Sequence, residues 1–296
     1  MASSCEGDRW DWTTMPDDTP RDVRAVIQSR EVMEGAGVRV RRYIGSPELD
    51  HIDPFLLLDE MRSDDPQDYI AGFPPHPHRG FQTLTYMMKG RFRHEDSTGS
   101  SGTLGSGGLQ WMNAGSGVIH SEMPKMNKGR LWGYQLWLNA PSRERWSDPF
   151  YRNFKAVEVR DSDRREHLLA GADQENFAFF PMLYTDVQLE TGAAFERAVP
   201  KTMNAFLVVA EGEVTVAPSG RQVPQHSLAV LGPGDRVAFE AVRDAVVILG
   251  AGEPVRESIA RWGPFVMNTR EEILEAITDY QHGRLVQKKA EDDLGC

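Results

Sequence analysis

Cysteine is almost missing from this chain: there are two in 296 residues, Cys5 and Cys296, one near each end. A disulfide framework is thereby excluded, and a thiolate zinc site needs more sulfur than this. Both residues read as free thiols in a reducing compartment. Long apolar runs are missing too. The stretch 206–210 is among the longest, far short of the roughly 20 residues of a membrane-spanning helix, so no membrane contact is expected. The N-terminus, Met1 to Glu6, has no basic start followed by an apolar stretch. No secretory signal is expected, and an intracellular protein of the cytoplasm, the nucleus or both is. Positive charge is in the minority, with 33 Lys and Arg against 44 Asp and Glu and a formal net charge of −11. Such a balance repels phosphate backbones and gives no footprint for general nucleic-acid binding. The Arg-Val-Arg-Arg cluster at 39–42 reads as a solvated strand edge.

What is present is ordinary globular composition, 40% hydrophobic and 26% charged, with enough apolar residues for real cores. Strand-like runs separated by glycine turns dominate 23–140. The segments 81–88 and 91–94 flank Lys89-Gly90, a plausible tight hairpin. The Gly- and Ser-rich stretch 102–117 suggests turns between short strands, and 131–138 is another strand rich in Trp and Tyr. The charged stretch 143–165 is weakly periodic and reads as a linker or irregular connection. A second β-rich block runs from 178 to 250. Within it, 205–216 reads as two strands around Glu211-Gly212, and 236–249 as further strands. These divisions predict a flexible tail at 1–22, a barrel at 23–150, a second barrel with a terminal helix at 151–286, and a polar tail at 287–296. The helix has a capping signal at Asn268 and Thr269 with Glu271 and Glu272 following. Ile273, Leu274, Ile277 and Tyr280 form its apolar stripe, and Gly283 ends it.

Two short patterns carry chemistry. His76-Pro77-His78 places two imidazoles on one face of a strand, because residues two apart share a face. His120-Ser121-Glu122 repeats the spacing with a carboxylate. On facing strands of a barrel the two dyads would meet inside. Three neutral imidazoles and one carboxylate suit a borderline divalent metal: iron, manganese, copper, nickel or zinc. They leave about two octahedral positions for water, substrate or dioxygen. If the strand continues regularly from His76, then Gln82, Leu84, Tyr86 and Met88 share the histidines' face, with Gln82 beside the metal and the others as pocket wall. His94 and Asp96 follow the hairpin as supporting groups or a separate polar cluster. His51, His167, His226 and His282 lack a partner at ligand spacing and read as structural or exposed.

These residues also resemble a known family. His76-Pro-His-Arg-Gly-Phe81, Thr85-Tyr86, His94-Glu-Asp-Ser97, Leu109-Gln-Trp-Met112, Ala114-Gly115, Ile119-His-Ser-Glu-Met-Pro124 and Gly263-Pro-Phe-Val-Met-Asn268 together resemble the pirins of the cupin superfamily. The likeness extends from about residue 23 to 284 and is densest at 72–124. It implies an all-β bicupin: two jelly-roll β-barrels face to face with a short C-terminal helix. It also implies one mononuclear iron, as Fe2+, in the N-terminal barrel, on His76, His78, His120 and Glu122. The second barrel is expected to lack metal, since Ala198 and Pro200 stand where His76 and His78 would align. Gln82 departs from the glutamate of many pirins, and such a change would alter the charge and hydrogen bonding around a metal. Gly108, Asn113 and Ser116 also depart from the expected pattern.

Two functions follow from the resemblance. One is a quercetin 2,3-dioxygenase, which opens a flavonol ring with dioxygen and releases carbon monoxide. Metal coordination would lower the pKa of the flavonol hydroxyl and bring the reactants together, with Glu122 as an alternative proton acceptor. The other is an iron-dependent, redox-sensitive transcription cofactor or signalling partner, whose metal would switch protein–protein contacts. A monomer is expected in both.

Overall fold

The structure, a computed structural model, describes residues 18–170 and 178–286. Residues 1–17 of the expected N-terminal tail, with Trp10 and Trp12, and the tail at 287–296 lie outside these. The fold is mostly β, with the single α-helix Arg270–Gln281 among the described residues. Among the described residues no helix is long and apolar enough to cross a membrane.

The chain forms two compact β-units. Of the described residues, one holds 27–156, 178–180 and 253–286. A seven-stranded antiparallel sheet runs through it in the order Phe150–Lys155, Gly108–Asn113, Phe81–Lys89, Leu131–Asn139, Phe55–Ser63, Val38–Ile44 and Arg30–Glu34. A second sheet has four strands, in the order Phe73–His78, Val118–Pro124, Arg91–Asp96 and Ser101–Gly105. Glycine closes the central hairpin as its φ requires, with Gly90 at +102°. Between the sheets lie apolar side chains that include Val38, Val40, Met61, Met87, Phe92 and Leu104.

The other unit holds residues 18–26, 157–170 and 181–252. Its nine-stranded sheet is built on two long strands, Asn204–Val216 and Arg236–Gly252. Register shifts around Glu211 and Glu213 bend the first of these, as bulges do where a sheet must curl onto itself. The 205–216 segment is therefore one bent strand rather than two, and 236–249 is also continuous. Leu183, Val187, Phe195, Leu207, Val209, Val237 and Phe239 are among the residues filling the interior.

The division of the chain differs from the sequence expectation in three places. The stretch 143–165 is not a linker. It contains Phe150–Lys155, paired in register with Gly108–Asn113, and the edge strand Val157–Arg160. Apolar residues in Val157-Glu158-Val159-Arg160 alternate as in a strand, but charge conceals the pattern. Asp18 to Val26 belongs to the second barrel: Thr19 N–H donates to Asp235 at 2.6 Å, and Arg21 donates to the carbonyls of Gly232 and Pro200 at 2.9 and 2.6 Å.

Conversely, the C-terminal helix packs with the first barrel, not the second. Arg79, fully buried, donates to Asp279 at 3.0 Å and to the carbonyls of Ser116 and Leu285. Arg145 donates to Asn268, Gly80, Val266 and Asn139. Thr269 caps the helix with a complete capping box to Glu272. Ile273 and Ala276 are its buried residues, whereas Leu274 and Tyr280 of the expected stripe are exposed. The arginines at 39–42 are not a solvated edge, since another strand covers theirs and each pairs with carboxylates: Arg39 with Asp68, Arg41 with Glu31, and Arg42 with Glu34 and Asp59.

Candidate metal centre

The two dyads lie on neighbouring paired strands, not facing ones. Val118–Pro124 is antiparallel to Phe73–His78 with His120 opposite His76, and to Arg91–Asp96 with Glu122 opposite His94. Alternation then brings His76, His78, His94, His120 and Glu122 to one face. Ring centroids are 4.7 Å apart for His76 and His78, 4.4 Å for His76 and His120, and 4.9 Å for His78 and His120. His78 and His120 are buried, and His76 is half-buried. Candidate ligand atoms fall into two overlapping groups, His76–His78–His120 and His94–His120–Glu122, each within 4.8 Å. His120 is common to both, so Glu122 joins the cluster from the His94 side.

The imidazole tautomers follow from their hydrogen bonds. His76 Nδ1 donates to the Pro74 carbonyl at 2.8 Å, and His78 Nδ1 to that of Pro264 at 3.2 Å. Each ring thus presents Nε2 as a lone pair. His94 Nε2 donates to Asp96 at 3.0 Å, which leaves its Nδ1 to accept from His120 Nδ1 at 3.4 Å and Gln110 at 3.3 Å. The third lone pair is therefore His120 Nε2, which is buried with no hydrogen-bond partner. Burial, reinforced by His76, lowers the His78 pKa to about 3. Burial and the neighbouring imidazoles hold His120 well below the usual histidine range. Both rings are thereby held as neutral bases, and the His76 ring converges with them.

Glu122 is 3% exposed and held by three neutral donors from the opposite sheet. Its Oε1 accepts from Gln110 Nε2 at 3.0 Å and Thr85 Oγ1 at 3.3 Å, and its Oε2 from Gln135 Nε2 at 2.7 Å. These residues stand side by side on adjacent strands, with Thr85 opposite both Gln135 and Gln110. No Lys or Arg pairs with Glu122 among the described residues. An isolated buried carboxylate is costly without a countercharge. The residues thus fit a divalent transition metal: three imidazoles, one of them with an orphaned Nε2, and one carboxylate without a cation among the described residues.

The predicted pocket wall needs correcting. Gln82, Leu84, Tyr86 and Met88 do not share the histidines' face. The chain breaks at Arg79-Gly80, where Gly80 has φ +87° and a Cβ would lie 2.0 Å from the Val266 carbonyl. Phe73–His78 and Phe81–Lys89 consequently belong to different sheets, and parity is not carried across. Phe81, Thr83 and Thr85 take the site face: Phe81 packs on His78 at 5.0 Å and Thr85 reaches Glu122. Gln82 lies on the other face between Leu138 and Asn113. His94 does stand beside the site, with Tyr151 stacked on it at 4.1 Å.

Sequence reasoning missed Gln110, Gln135, Tyr151 and Trp137. Only strand pairing could have found them, since none lies near a histidine in the chain. A cavity of about 620 Å³ opens onto His76 and His78. Its walls include Leu57, Met61, Phe73, Trp137, Arg42 and Arg261. This volume lies in the range of small-molecule sites.

A β-barrel with a three-histidine, one-carboxylate cluster on its inner face defines the chain as a cupin. Family models agree: the Pirin model matches residues 37–138, and the Pirin C-terminal cupin domain model matches 184–286. A pirin-like protein of Caulobacter vibrioides is 45% identical over 274 residues, covering 89% of this chain and 99% of that one. A protein of Pseudomonas aeruginosa named as a putative quercetin 2,3-dioxygenase is 40% identical, covering 90% and 98%. Among solved structures, a quercetin 2,3-dioxygenase from Acinetobacter baumannii superposes with a TM-score of 0.83 at 30% identity, covering 90% of this chain and 98% of that one. The chain belongs to the pirin family, and its fold is the bicupin of that family.

Proposed function

We propose that this chain is a mononuclear non-haem iron protein with quercetin 2,3-dioxygenase-type activity, opening a flavonol ring with one dioxygen and expelling one ring carbon as carbon monoxide. The observation that carries this reading is the convergence of three imidazole nitrogens beside a cavity sized for a small molecule. The names of the Pseudomonas and Acinetobacter relatives support the choice of reaction. His76, His78, His120 and Glu122 would hold the metal. Bound Fe2+ would supply Lewis acidity toward a flavonol hydroxyl and a redox route to dioxygen.

The chain's own residues do the rest. The carbonyls of Pro74 and Pro264 fix the tautomers of His76 and His78. Asp96 and His94 orient His120 in the same way. Gln110, Thr85 and Gln135 donate to both oxygens of Glu122 and fix the orientation of this carboxylate toward the histidines. Half-buried His76 faces the cavity, where substrate enters, while the apolar walls exclude water from the reacting ring.

The test is anaerobic purification, iron loading, and addition of a flavonol under air. Carbon monoxide release that vanishes in His76→Ala and His120→Ala is the expected result. Intact iron with no turnover would overturn the enzymatic reading in favour of a regulatory one. Less than about a tenth of an equivalent of metal after loading would remove the metal centre itself.

A further inference from the structure

The cavity contains two guanidinium groups of opposite status. Arg42 is fully engaged: its Nε and Nη2 donate to both oxygens of Asp59 at 2.9 and 2.7 Å, and Nη2 also reaches Glu34 at 2.6 Å. Both carboxylates of the cavity wall are thereby taken up by one cation. Arg261 has no carboxylate partner among the described residues. Its Nη1 donates to the Leu56 carbonyl at 3.1 Å, and its Cζ lies 4.9 Å over the Trp137 ring. No protein acceptor meets its Nε or Nη2 among the described residues. That edge of the planar fork is the one that pairs with a carboxylate through two parallel hydrogen bonds. Burial and the repulsion of Arg42 lower the pKa of Arg261, outweighing the attraction of Asp50, Asp59 and Glu34. The cation is under-compensated where it stands.

Its position relative to the metal cluster is also defined. The Trp137 ring is 5.3 Å from that of His78. Guanidinium and imidazole are therefore within about 10 Å of each other across one indole. A planar aromatic molecule can place an oxygen at the histidines and an anionic group at Arg261 within that span. Trp137 and Leu57 line the same cavity.

We propose that Arg261 is the specificity residue of this cavity, and that the substrate is a planar aromatic oxygen donor carrying a carboxylate one ring away from the metal-side oxygen. The proposal rests on reading the cavity as the substrate site of the metal centre, and it adds the chemical class of the substrate.

Calorimetric titration of the iron-loaded protein under anaerobic conditions tests it, with 3-hydroxyflavone and 4′-carboxy-3-hydroxyflavone as probes. Wild type is expected to prefer the acid. Arg261→Gln is expected to weaken the acid by about tenfold or more, as losing a charge-assisted hydrogen bond does, and to leave the neutral probe within about twofold. Arg261→Lys, which keeps the charge but not the fork, should fall between the two. Unchanged binding of the neutral probe reports that the variant cavity is intact. Equal weakening of both probes, or no preference for the acid in wild type, would overturn the proposal. Binding of the acid without oxygen consumption under air would remove the proposed activity and leave the role of Arg261 standing. Turnover of 3-hydroxyflavone without any preference for the acid would do the reverse.

Discussion

Each barrel buries one glutamate against a threonine, and the two are treated in opposite ways. In the second barrel Glu166 is 2% exposed and receives Arg197 Nη2 on both oxygens, at 2.6 and 2.5 Å, with Thr185 Oγ1 at 2.9 Å. In the first barrel Glu122 is 3% exposed and receives Thr85, Gln110 and Gln135, all neutral. Glu166 has its countercharge built into the chain. Glu122 has imidazoles nearby and, among the described residues, no cation. A buried charge that the protein neutralises itself is architecture, whereas one left for something else to neutralise marks a binding site. The same contrast runs through the interiors: Val, Leu, Phe and Ala fill one, and the other gives part of its lining to histidine, glutamine and threonine.

The largest expected effect tests whether both barrels depend equally on their tight glycine contacts. Gly80 has φ +87° with a Cβ position 2.0 Å from the Val266 carbonyl, and Gly212 has φ +75° with one 2.1 Å from the Asp244 carbonyl. Alanine at either position should cost about 2–4 kcal/mol through strain and clash, read by denaturant unfolding. Only the Gly80→Ala change, two residues from His78, should also weaken metal binding. If Gly212→Ala weakens metal binding as much, the functional separation of the barrels fails.

The next effect bears on the glutamates themselves. Glu166→Gln should destabilise the protein by about 1–3 kcal/mol, because Arg197 loses its partner. Glu122→Gln should leave the metal-free protein as stable as wild type or more so, while metal uptake falls. Chemical unfolding in a chelator measures both. Destabilisation of the same sign and size would refute the distinction between a compensated and an uncompensated carboxylate.

The smallest effect is a pH dependence confined to the second barrel. Hydrogen bonding to Asp186 at 3.1 Å, with Glu158 at 3.3 Å, raises the His167 pKa above its ordinary 6.5. The protonated ring is favoured in the folded state, so its stabilisation is complete below about 6.5 and is lost as pH rises through the folded-state value. A contribution under about 1 kcal/mol is expected for so partly exposed a group. His167→Gln should flatten the stability curve between pH 6 and 8.5 without altering metal uptake. An unchanged curve would assign that pH dependence elsewhere.

The convergence of the histidines with Glu122 was legible in the sequence. Ligand spacing of two on a strand is a local property, and so is the capping box that starts the C-terminal helix at Thr269. The wall around the ligands was not legible. Extending strand parity from His78 through Gly80 placed Gln82 beside the metal, but the left-handed turn at Gly80 moves the chain to another sheet, and Thr83 and Thr85 take the site face instead. Gln82 therefore loses the significance that its departure from the family pattern suggested. Gln110 and Gln135 reach Glu122 only because their strands flank the one carrying Thr85.

By itself, then, the sequence determined which side chains can bind a metal, because alternation along a strand needs only adjacent residues. It also determined the β character of both halves. Tertiary structure alone decided what surrounds those ligands. Strand order sets the three donors on Glu122, and the return of the chain brings the Pro264 carbonyl to His78 and Arg261 to Trp137. These contacts join residues up to 186 positions apart, a separation at which no local pattern carries information.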